Sequence, residues 1–274
     1  MPDFPIRRTI RLIGAPTDVN SSFLRGPALG PTAIRKALAS DHANGTAEIG
    51  GAYGLDARLN DAGDLPLTED TAHDDRLIAE AAARAIAAGE MPFFLGGDHA
   101  IAFPAAAAVA KACGPLNILH FDAHPDIYEA FEGNPRSHAS PFARIMEAGI
   151  ARRLVQVGIR TLNPHQAVQA ERFGVEIVRM LDFAPDTVPV LGGPLYISFD
   201  LDGLDPSVAP GVSHHEPGGL TVREVLAVLS RQTAAVAGAD IVEFNPTRDI
   251  NDMTATVAAK LVREIAALAA RNAG

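Results

Sequence analysis

The sequence predicts an α/β fold of three layers, in which a mostly parallel central sheet lies between two layers of helices. Two observations support this prediction. Short apolar runs, typical of buried strands, alternate along the chain with longer segments of helical spacing. Polar clusters follow directly after several of these runs, as expected where strands end at a ligand-binding edge. Because no linker, repeat or low-complexity segment divides the chain, we expect a single domain over residues 1–274.

The strands are predicted from short apolar runs bounded by polar or turn-forming residues. In chain order they cover residues 9–14, 92–95, 116–121, 154–157, 195–199 and 239–242. Pro31 suits the first turn of a helix, and Gly89 suits the end of another. The predicted helices begin at about residue 31 and then cover residues 74–88, 101–112, 141–148, 221–235 and 254–270.

Composition excludes some classes of protein. The formal net charge is −10, which argues against a nucleic-acid partner, because phosphate binding requires concentrated Lys and Arg. No uncharged apolar stretch of about 18 residues is present, so no membrane span is expected. The N-terminus lacks the features of a signal peptide, which favours the cytoplasm. The single cysteine, Cys113, lies in an apolar run and is expected to be a buried free thiol.

Four of the predicted strands end in clusters of acids, histidines or glycines. Each cluster begins with apolar strand residues and reaches a carboxylate or imidazole within a few positions. The carboxyl ends of parallel strands meet at one edge of a sheet, so clusters that are distant in sequence are expected to converge there. They lie within residues 93–99, 118–126, 197–206 and 241–246.

Two clusters place an acid or imidazole at every second position, as Asp122-x-His124-x-Asp126 and Asp200-x-Asp202. Alternate residues of an extended chain point the same way, so each cluster would aim its side chains at one point. Crowded carboxylates repel one another, and a pair of divalent cations would remove that cost. Oxygen-rich ligation with two imidazoles favours Mn²⁺ over Zn²⁺. Each motif alone is more often a turn, but turns do not explain all of them together.

The motifs resemble those of a known family. Residues GGDH, DAHPD and SFDLDGLDP are similar to the three signatures of the ureohydrolases, which are the arginases and agmatinases. The likeness covers nearly the whole chain and includes residues 20–27, which resemble the family's N-terminal loop on the substrate side. It implies an arginase-like fold and hydrolysis of a guanidino group. The segments most similar to plant-type arginases are residues 125–128, 137–140, 211–219 and 242–249.

The resemblance implies a set of metal ligands. One ion would be held by His99, Asp122, Asp126 and Asp200, and the other by His124, Asp122, Asp200 and Asp202. Asp122 and Asp200 would bridge the two ions. The implied cofactor is two Mn²⁺ per chain, with Ni²⁺ or Co²⁺ as alternatives. The family also implies a homo-oligomer, either a trimer or a hexamer.

Three catalytic residues are implied in the same way. His138 matches a histidine beside the mouth of the active site, which acts as a proton shuttle or general acid. Glu243 matches the carboxylate that pairs with the substrate guanidinium. Physical chemistry agrees with both roles. A planar guanidinium can donate two hydrogen bonds to one carboxylate. Histidine titrates in the range needed to protonate a leaving amine. Asp126 would hydrogen-bond the attacking hydroxide and pass its proton on.

The far end of the substrate is less defined by the sequence. Tyr128 stands where animal arginases carry an Asn that helps to hold the α-carboxylate. Glu216 is a candidate for the α-amino group, and His214 and His215 have equal claims to contact substrate. The remaining candidates, for the α-carboxylate, are Asn134, Arg136 and Ser137. His120 is expected to be a core residue or to support the ligands.

The leading hypothesis is an arginase, which converts L-arginine and water to L-ornithine and urea. The alternative within the same chemistry is an agmatinase, or another guanidino-acid hydrolase. A zinc-dependent deacetylase has a related architecture but one metal, and six ligands disfavour it. A non-catalytic binding protein would more often have lost Asp126, His138 or Glu243, and all three are present.

Overall fold

The central element is one sheet in which the paired strands run parallel. The computed structural model describes residues 8–41, 45–50 and 57–273, so both ends of the predicted domain lie outside the described residues. Within them, eight strands lie in the order β2-β1-β3-β8-β7-β4-β5-β6. The strands are β1 (Arg8–Ala15), β2 (Ala57–Asp64), β3 (Met91–Gly96), β4 (Leu116–Phe121), β5 (Ala151–Ile159), β6 (Glu176–Arg179), β7 (Leu195–Asp200) and β8 (Val236–Val242).

Helices cover both faces of this sheet, which confirms the predicted α/β fold. Phe93 and Phe94 are adjacent in β3 but belong to different apolar clusters, because successive side chains of a strand point to opposite faces. One cluster includes residues of α1, α6 and α7, and the other includes residues of α2, α3 and α4. The helices are α1 (Gly30–Leu38), α2 (Thr71–Ala87), α3 (Ala102–Cys113), α4 (Pro141–Glu147), α5 (Pro164–Phe173), α6 (Val222–Arg231) and α7 (Met253–Arg271).

The sequence did not predict the two edge strands or α5. Every residue of β3, β4 and β7 is buried, which is the apolar pattern that predicts a central parallel strand. The edge strands β2 and β6 are partly exposed and carry polar side chains, so they lack that pattern. The helix predicted over residues 221–235 ends earlier, at Arg231, because β8 begins at Val236.

The expectation of a buried thiol at Cys113 is wrong. Cys113 is exposed, as the last residue of α3, and Gly114 follows it with φ 83°. The apolar run buries the earlier turns of the helix, while its last turn extends beyond the core. No helix within the described part of the chain is long and apolar enough to cross a membrane.

The sheet order brings the polar clusters together. Strands β3, β8, β7 and β4 are neighbours in the middle of the sheet, and their carboxyl ends carry the four clusters that the sequence predicts. Gly97 follows β3 where the chain after β1 passes very close. A Cβ atom there would lie 1.6 Å from the backbone oxygen of Thr17, so only glycine fits. The site is therefore built where two loops touch at the edge of the sheet.

Candidate metal centre and active-site cavity

His99 enters the site from a short 3₁₀ turn, His99–Ile101, directly after β3. The carboxylate of Asp98 begins this turn by accepting a hydrogen bond from the backbone N–H of Ala100 at 3.1 Å. The same carboxylate accepts the N–H of Asn20 at 2.9 Å. Asp98 is fully buried, so these bonds satisfy it, fix the position of His99 and tie the loop after β1 to the site.

The DAHPD segment does not continue β4 as an extended chain. The expectation that its side chains converge because alternate residues of a strand point the same way is therefore wrong. Asp122 Oδ1 accepts the backbone N–H of His124 at 2.6 Å, which bends the chain immediately after the strand. Asp126 has φ 47°, a left-handed conformation that few non-glycine residues adopt. The three side chains converge through this bend and not through the pleat of a strand.

The second acidic pair uses the same device. Asp200 is the last residue of β7, and its Oδ1 accepts the N–H of Asp202 at 2.8 Å. Asp202 lies in the 3₁₀ turn Leu201–Gly203. Its carboxylate accepts the N–H of Ala123 at 3.2 Å, which joins this pair to the DAHPD segment. Because β4 and β7 are neighbouring strands, the two motifs that follow them lie side by side.

Three groups of these side chains could hold an ion and all include Asp122; one joins it to His99 and His120, and the other two consist of predicted ligands alone. In the first group of predicted ligands, His99 Nδ1 lies 3.0 Å from Asp126 Oδ2, 3.2 Å from Asp200 Oδ2 and 3.3 Å from Asp122 Oδ2. Its ligand atoms all lie within 4.8 Å of one another. Each carboxylate thus faces the same point as the imidazole, as the ligands of one ion would.

In the second group, His124 Nδ1 lies 3.1 Å from Asp202 Oδ2 and 3.4 Å from Asp122 Oδ1. Asp122 thus offers one oxygen to each group, which is the geometry of a bridging ligand. Asp200, the other expected bridge, is grouped only with His99, Asp122 and Asp126.

The chemistry of this donor set fits divalent cations. His99 Nδ1 is buried and has no hydrogen-bond partner, although it is surrounded by carboxylate oxygens. Burial and the neighbouring Asp202 and Asp122 carboxylates raise the pKa of Asp200 well above its usual range. Buried carboxylates that crowd one another and an imidazole with a free lone pair are stabilised together by bound cations. The structure therefore supports a metal site at this edge.

Fully buried side chains orient the ligands from behind. His99 Nε2 is 3.0 Å from Ser198 Oγ, and the Ser198 hydroxyl donates to Asp240 at 2.7 Å. His120 Nε2 is 2.8 Å from Asp122 Oδ2, and the His120 ring stacks on Phe142 with a centroid distance of 3.9 Å. These contacts place His120 as a supporting residue, because partners behind a ligand fix its orientation.

Glu243 and His138 form a buried pair beside the metal site. His138 Nδ1 is 2.9 Å from Glu243 Oε1, and the same oxygen accepts the backbone N–H of His99 at 2.8 Å. Glu243 has φ 63°, so its backbone holds an uncommon conformation in order to present the carboxylate. Burial lowers the pKa of His138, but the carboxylates of Glu243, Asp126 and Asp98 together outweigh this effect and raise the pKa to about 9.

These groups open into one cavity of about 280 Å³. The predicted metal ligands His124, Asp126, Asp200 and Asp202 line one part of it with His138 and Glu243, which we call the inner end. The remaining lining residues form its outer wall. The residues that line it are Ser22, His124, Asp126, Tyr128, Phe131, His138, Ala139, Thr161, Asn163, Gln166, Asp200, Asp202, His214, Glu216 and Glu243.

Of the candidates for the far end of the substrate, Glu216 and His214 line this cavity. Glu216 Oε1 lies 3.8 Å from His124 Nε2. Arg136 is turned away from the cavity. Its guanidinium pairs with Asp75 at 2.5 and 3.1 Å and covers the ring of Phe103. The structure therefore does not support Arg136 as a carboxylate ligand, because an acid on α2 already holds its charge.

The other three candidates are also engaged within the fold. Asn134 donates to Asn20 and accepts the N–H of Arg136. Ser137 is buried and accepts the N–H of Ala139 at 3.3 Å. His215 is exposed, with Nε2 2.7 Å from the backbone oxygen of Pro210. They shape the loops around the cavity instead of lining it.

Several cavity residues had no predicted role. Thr161 and Asn163 follow β5 directly, so the rule that ligands bind at strand carboxyl ends would have found them. His214 was predicted only as an equal alternative to His215, and the structure places His214 in the wall. Ser22 lies within residues 20–27, which the resemblance placed on the substrate side without giving Ser22 a role, whereas no local pattern marks Gln166.

Comparison with known families agrees with this geometry. The model of the arginase family matches residues 8–268. Arginase 1, mitochondrial, of Arabidopsis thaliana is 50% identical over 273 residues, which cover 93% of this chain and 80% of the relative. A solved arginase structure from Medicago truncatula superposes with a TM-score of 0.89 and 43% identity, and the match covers 96% of this chain and 88% of that chain.

A more distant relative has a different named activity. The agmatinase of Bacillus anthracis is 33% identical over 266 residues, which cover 93% of this chain and 89% of the relative. The similarity is therefore higher to the plant arginases than to this agmatinase.

Proposed function

We propose that this chain, which belongs to the arginase family, hydrolyses L-arginine to L-ornithine and urea. The chain is a hydrolase that acts on C–N bonds of linear amidines, as its membership and its plant arginase relatives indicate. The observation that carries the proposal is the placement of Glu243 and His138 in the same cavity as the buried His and Asp groups. A guanidinium ligand, a proton donor and a metal site then share one small space.

The residues that would hold the metal are His99, Asp122, His124, Asp126, Asp200 and Asp202. We propose two Mn²⁺ per chain, because carboxylate oxygens dominate the set and no thiolate takes part. Ni²⁺ and Co²⁺ are the alternatives. Bound cations of this kind lower the pKa of water towards about 7 and so supply a nucleophile near neutral pH.

Glu243 is placed to hold the guanidinium. Both of its hydrogen bonds in the described structure fall on Oε1, which leaves Oε2 to accept from the substrate. Burial favours a charge-assisted hydrogen bond there over one with water. Asp126 lines the cavity next to His99, where it would accept a proton from the attacking water. His138 then supplies a proton to the leaving amine.

The side chains of the outer wall are also compatible with a second candidate substrate. Among the residues that the structure describes, the cavity is lined by no Arg or Lys, so an α-carboxylate would be held by neutral donors such as Thr161 and Asn163. Glu216 suits an ammonium group, which both arginine and agmatine carry. Agmatine is therefore the second candidate, and the higher similarity to plant arginases places it behind arginine.

Urea release from the Mn²⁺-loaded protein tests the proposal. L-Arginine, agmatine and 4-guanidinobutyrate share the guanidinium and differ only at the far end, so their kcat/KM values isolate the outer wall. We expect the highest kcat/KM for L-arginine. A higher value for agmatine would replace arginase with agmatinase, and absence of urea from all three substrates would overturn the proposal.

We also propose a cytoplasmic location and a trimer or hexamer. Fractionation of the source cell and sedimentation equilibrium of the purified protein would test these two predictions separately.

A further inference from the structure

The hydroxyl of Ser22 lies against the second ring nitrogen of His138. Ser22 Oγ is 2.8 Å from Nε2, and the Ser22 backbone N–H approaches the same nitrogen at 3.2 Å. The other ring nitrogen, Nδ1, is held by Glu243. Ser22 is exposed and lines the cavity, whereas His138 and Glu243 are buried. The three residues form one hydrogen-bonded chain whose open end is the serine.

The loop that carries the serine is held in place from several sides. The Asp18 carboxylate accepts the N–H of Gly26 at 2.7 Å, which closes the loop on itself. The buried Asp98 carboxylate accepts the N–H of Asn20 at 2.9 Å. The backbone oxygen of Asn20 in turn accepts the N–H of His138 at 3.1 Å. These bonds position the serine directly against the imidazole.

We propose that Ser22 relays the proton between His138 and the leaving nitrogen of the substrate, an inference that rests on the proposed function. In the charged imidazole, Nδ1–H donates to Glu243 and Nε2–H donates to Ser22 Oγ. When the C–N bond breaks, the leaving nitrogen keeps the electron pair and takes the Ser22 hydroxyl proton. The Nε2 proton moves to Oγ in the same step, so the serine is restored and His138 becomes neutral.

The neutral state also has its partners. With the remaining proton on Nδ1, Nε2 becomes an acceptor for both the hydroxyl and the backbone N–H of Ser22, which are the contacts observed. The Ser22 hydroxyl can therefore stay hydrogen-bonded to Nε2 before and after proton transfer, whereas the backbone N–H donates only to the neutral ring. Ser22 and His138 both line the cavity, and Ser22 is the exposed member of the pair, so its hydroxyl can face a bound substrate while it contacts Nε2.

The test is Ser22→Ala, with Ser22→Thr and Ser21→Ala as controls, assayed by urea release from L-arginine. Because general acid catalysis is weakened, kcat for Ser22→Ala should fall about 10–100-fold while KM changes less than about 3-fold. Ser22→Thr keeps the hydroxyl and should restore most of kcat. Ser21→Ala alters the neighbouring serine, which does not line the cavity, and should match the wild type.

Measuring kcat in mixtures of H₂O and D₂O distinguishes a proton relay from a purely structural role of Ser22. In the wild type two protons move in the step, so kcat should fall with deuterium fraction along a curve, and in Ser22→Ala the plot should become linear. Full kcat in Ser22→Ala, or equal losses in Ser22→Thr and Ser22→Ala, would overturn the relay. In either case urea release by the wild type leaves the proposed function standing. If the wild type releases no urea, both proposals fail.

Discussion

The inner and outer ends of the cavity are built in different ways. The inner end consists of buried acids and imidazoles at the ends of neighbouring central strands, where Asp122 is fully buried. The outer wall consists of loop side chains that remain partly exposed, and the Glu216 side chain keeps 39% of its surface accessible. Buried charge requires a specific partner, whereas exposed groups tolerate several. We therefore expect the inner end to determine the reaction and the outer wall to determine the choice of substrate.

The largest effect should come from removing the metal from the inner end. Crowded carboxylates and the unpartnered Nδ1 of His99 fit bound cations, so we expect exhaustive chelation to abolish urea release and added Mn²⁺ to restore it. Elemental analysis of the reloaded protein should approach two ions per chain. Full activity with one ion per chain would contradict the two-metal arrangement.

His138→Asn should have the next largest effect. Loss of the proton donor should lower kcat about 10²–10⁴-fold, the usual range for general acid–base catalysis. Metal content should stay unchanged, because His138 belongs to none of the groups of side chains that could hold a metal ion. Near-full turnover in this variant would remove His138 from the mechanism.

Glu243→Gln should lower kcat/KM on the order of 10²-fold, because a charge-assisted bond to the guanidinium is lost. The same change should alter the titration of His138. Burial lowers the pKa of His138, and the Glu243 carboxylate is the first of three carboxylates, with Asp126 and Asp98, that raise it to about 9 by stabilising the charged ring. Removing that carboxylate should therefore shift the pKa downward.

NMR titration of His138 in the metal-free protein measures this shift without turnover. Unchanged kcat/KM would show that another acid holds the guanidinium, and an unchanged pKa would show that Glu243 does not control His138.

The smallest effect should come from the outer wall. Glu216→Gln should raise KM several-fold for L-arginine and leave KM for 4-guanidinobutyrate unchanged, since arginine has an ammonium group and 4-guanidinobutyrate has none. The effect is small because a partly exposed ion pair is worth about 1 kcal/mol or less. Arg136→Ala is the matched control, because Arg136 pairs with Asp75 outside the cavity. It should not change the ratio of kcat/KM for arginine and agmatine. A selective loss for arginine would return Arg136 to the substrate site.

The sequence predicted the central strands and the metal-site residues because their patterns are local. Apolar runs that end in acids identify both the strand and the edge where it binds ligands, as in β4 and β7. Edge strands β2 and β6 escaped prediction, since a partly exposed strand has a mixed composition. Arg136 was placed in the site because its charge suits a carboxylate, and nothing local revealed its pairing with Asp75.

By itself the sequence determined the α/β class, the family and the residues that hold charge at the inner end. Those features follow from hydrophobic runs and from motifs within a few residues of one another. The tertiary structure decided that Ser22 meets His138 across 116 positions of sequence and that Asp122 offers one oxygen to each group. It also decided that Glu216 lines the cavity while Arg136 turns away. Side-chain partners of this kind depend on which loops pack together, and no local pattern encodes that packing.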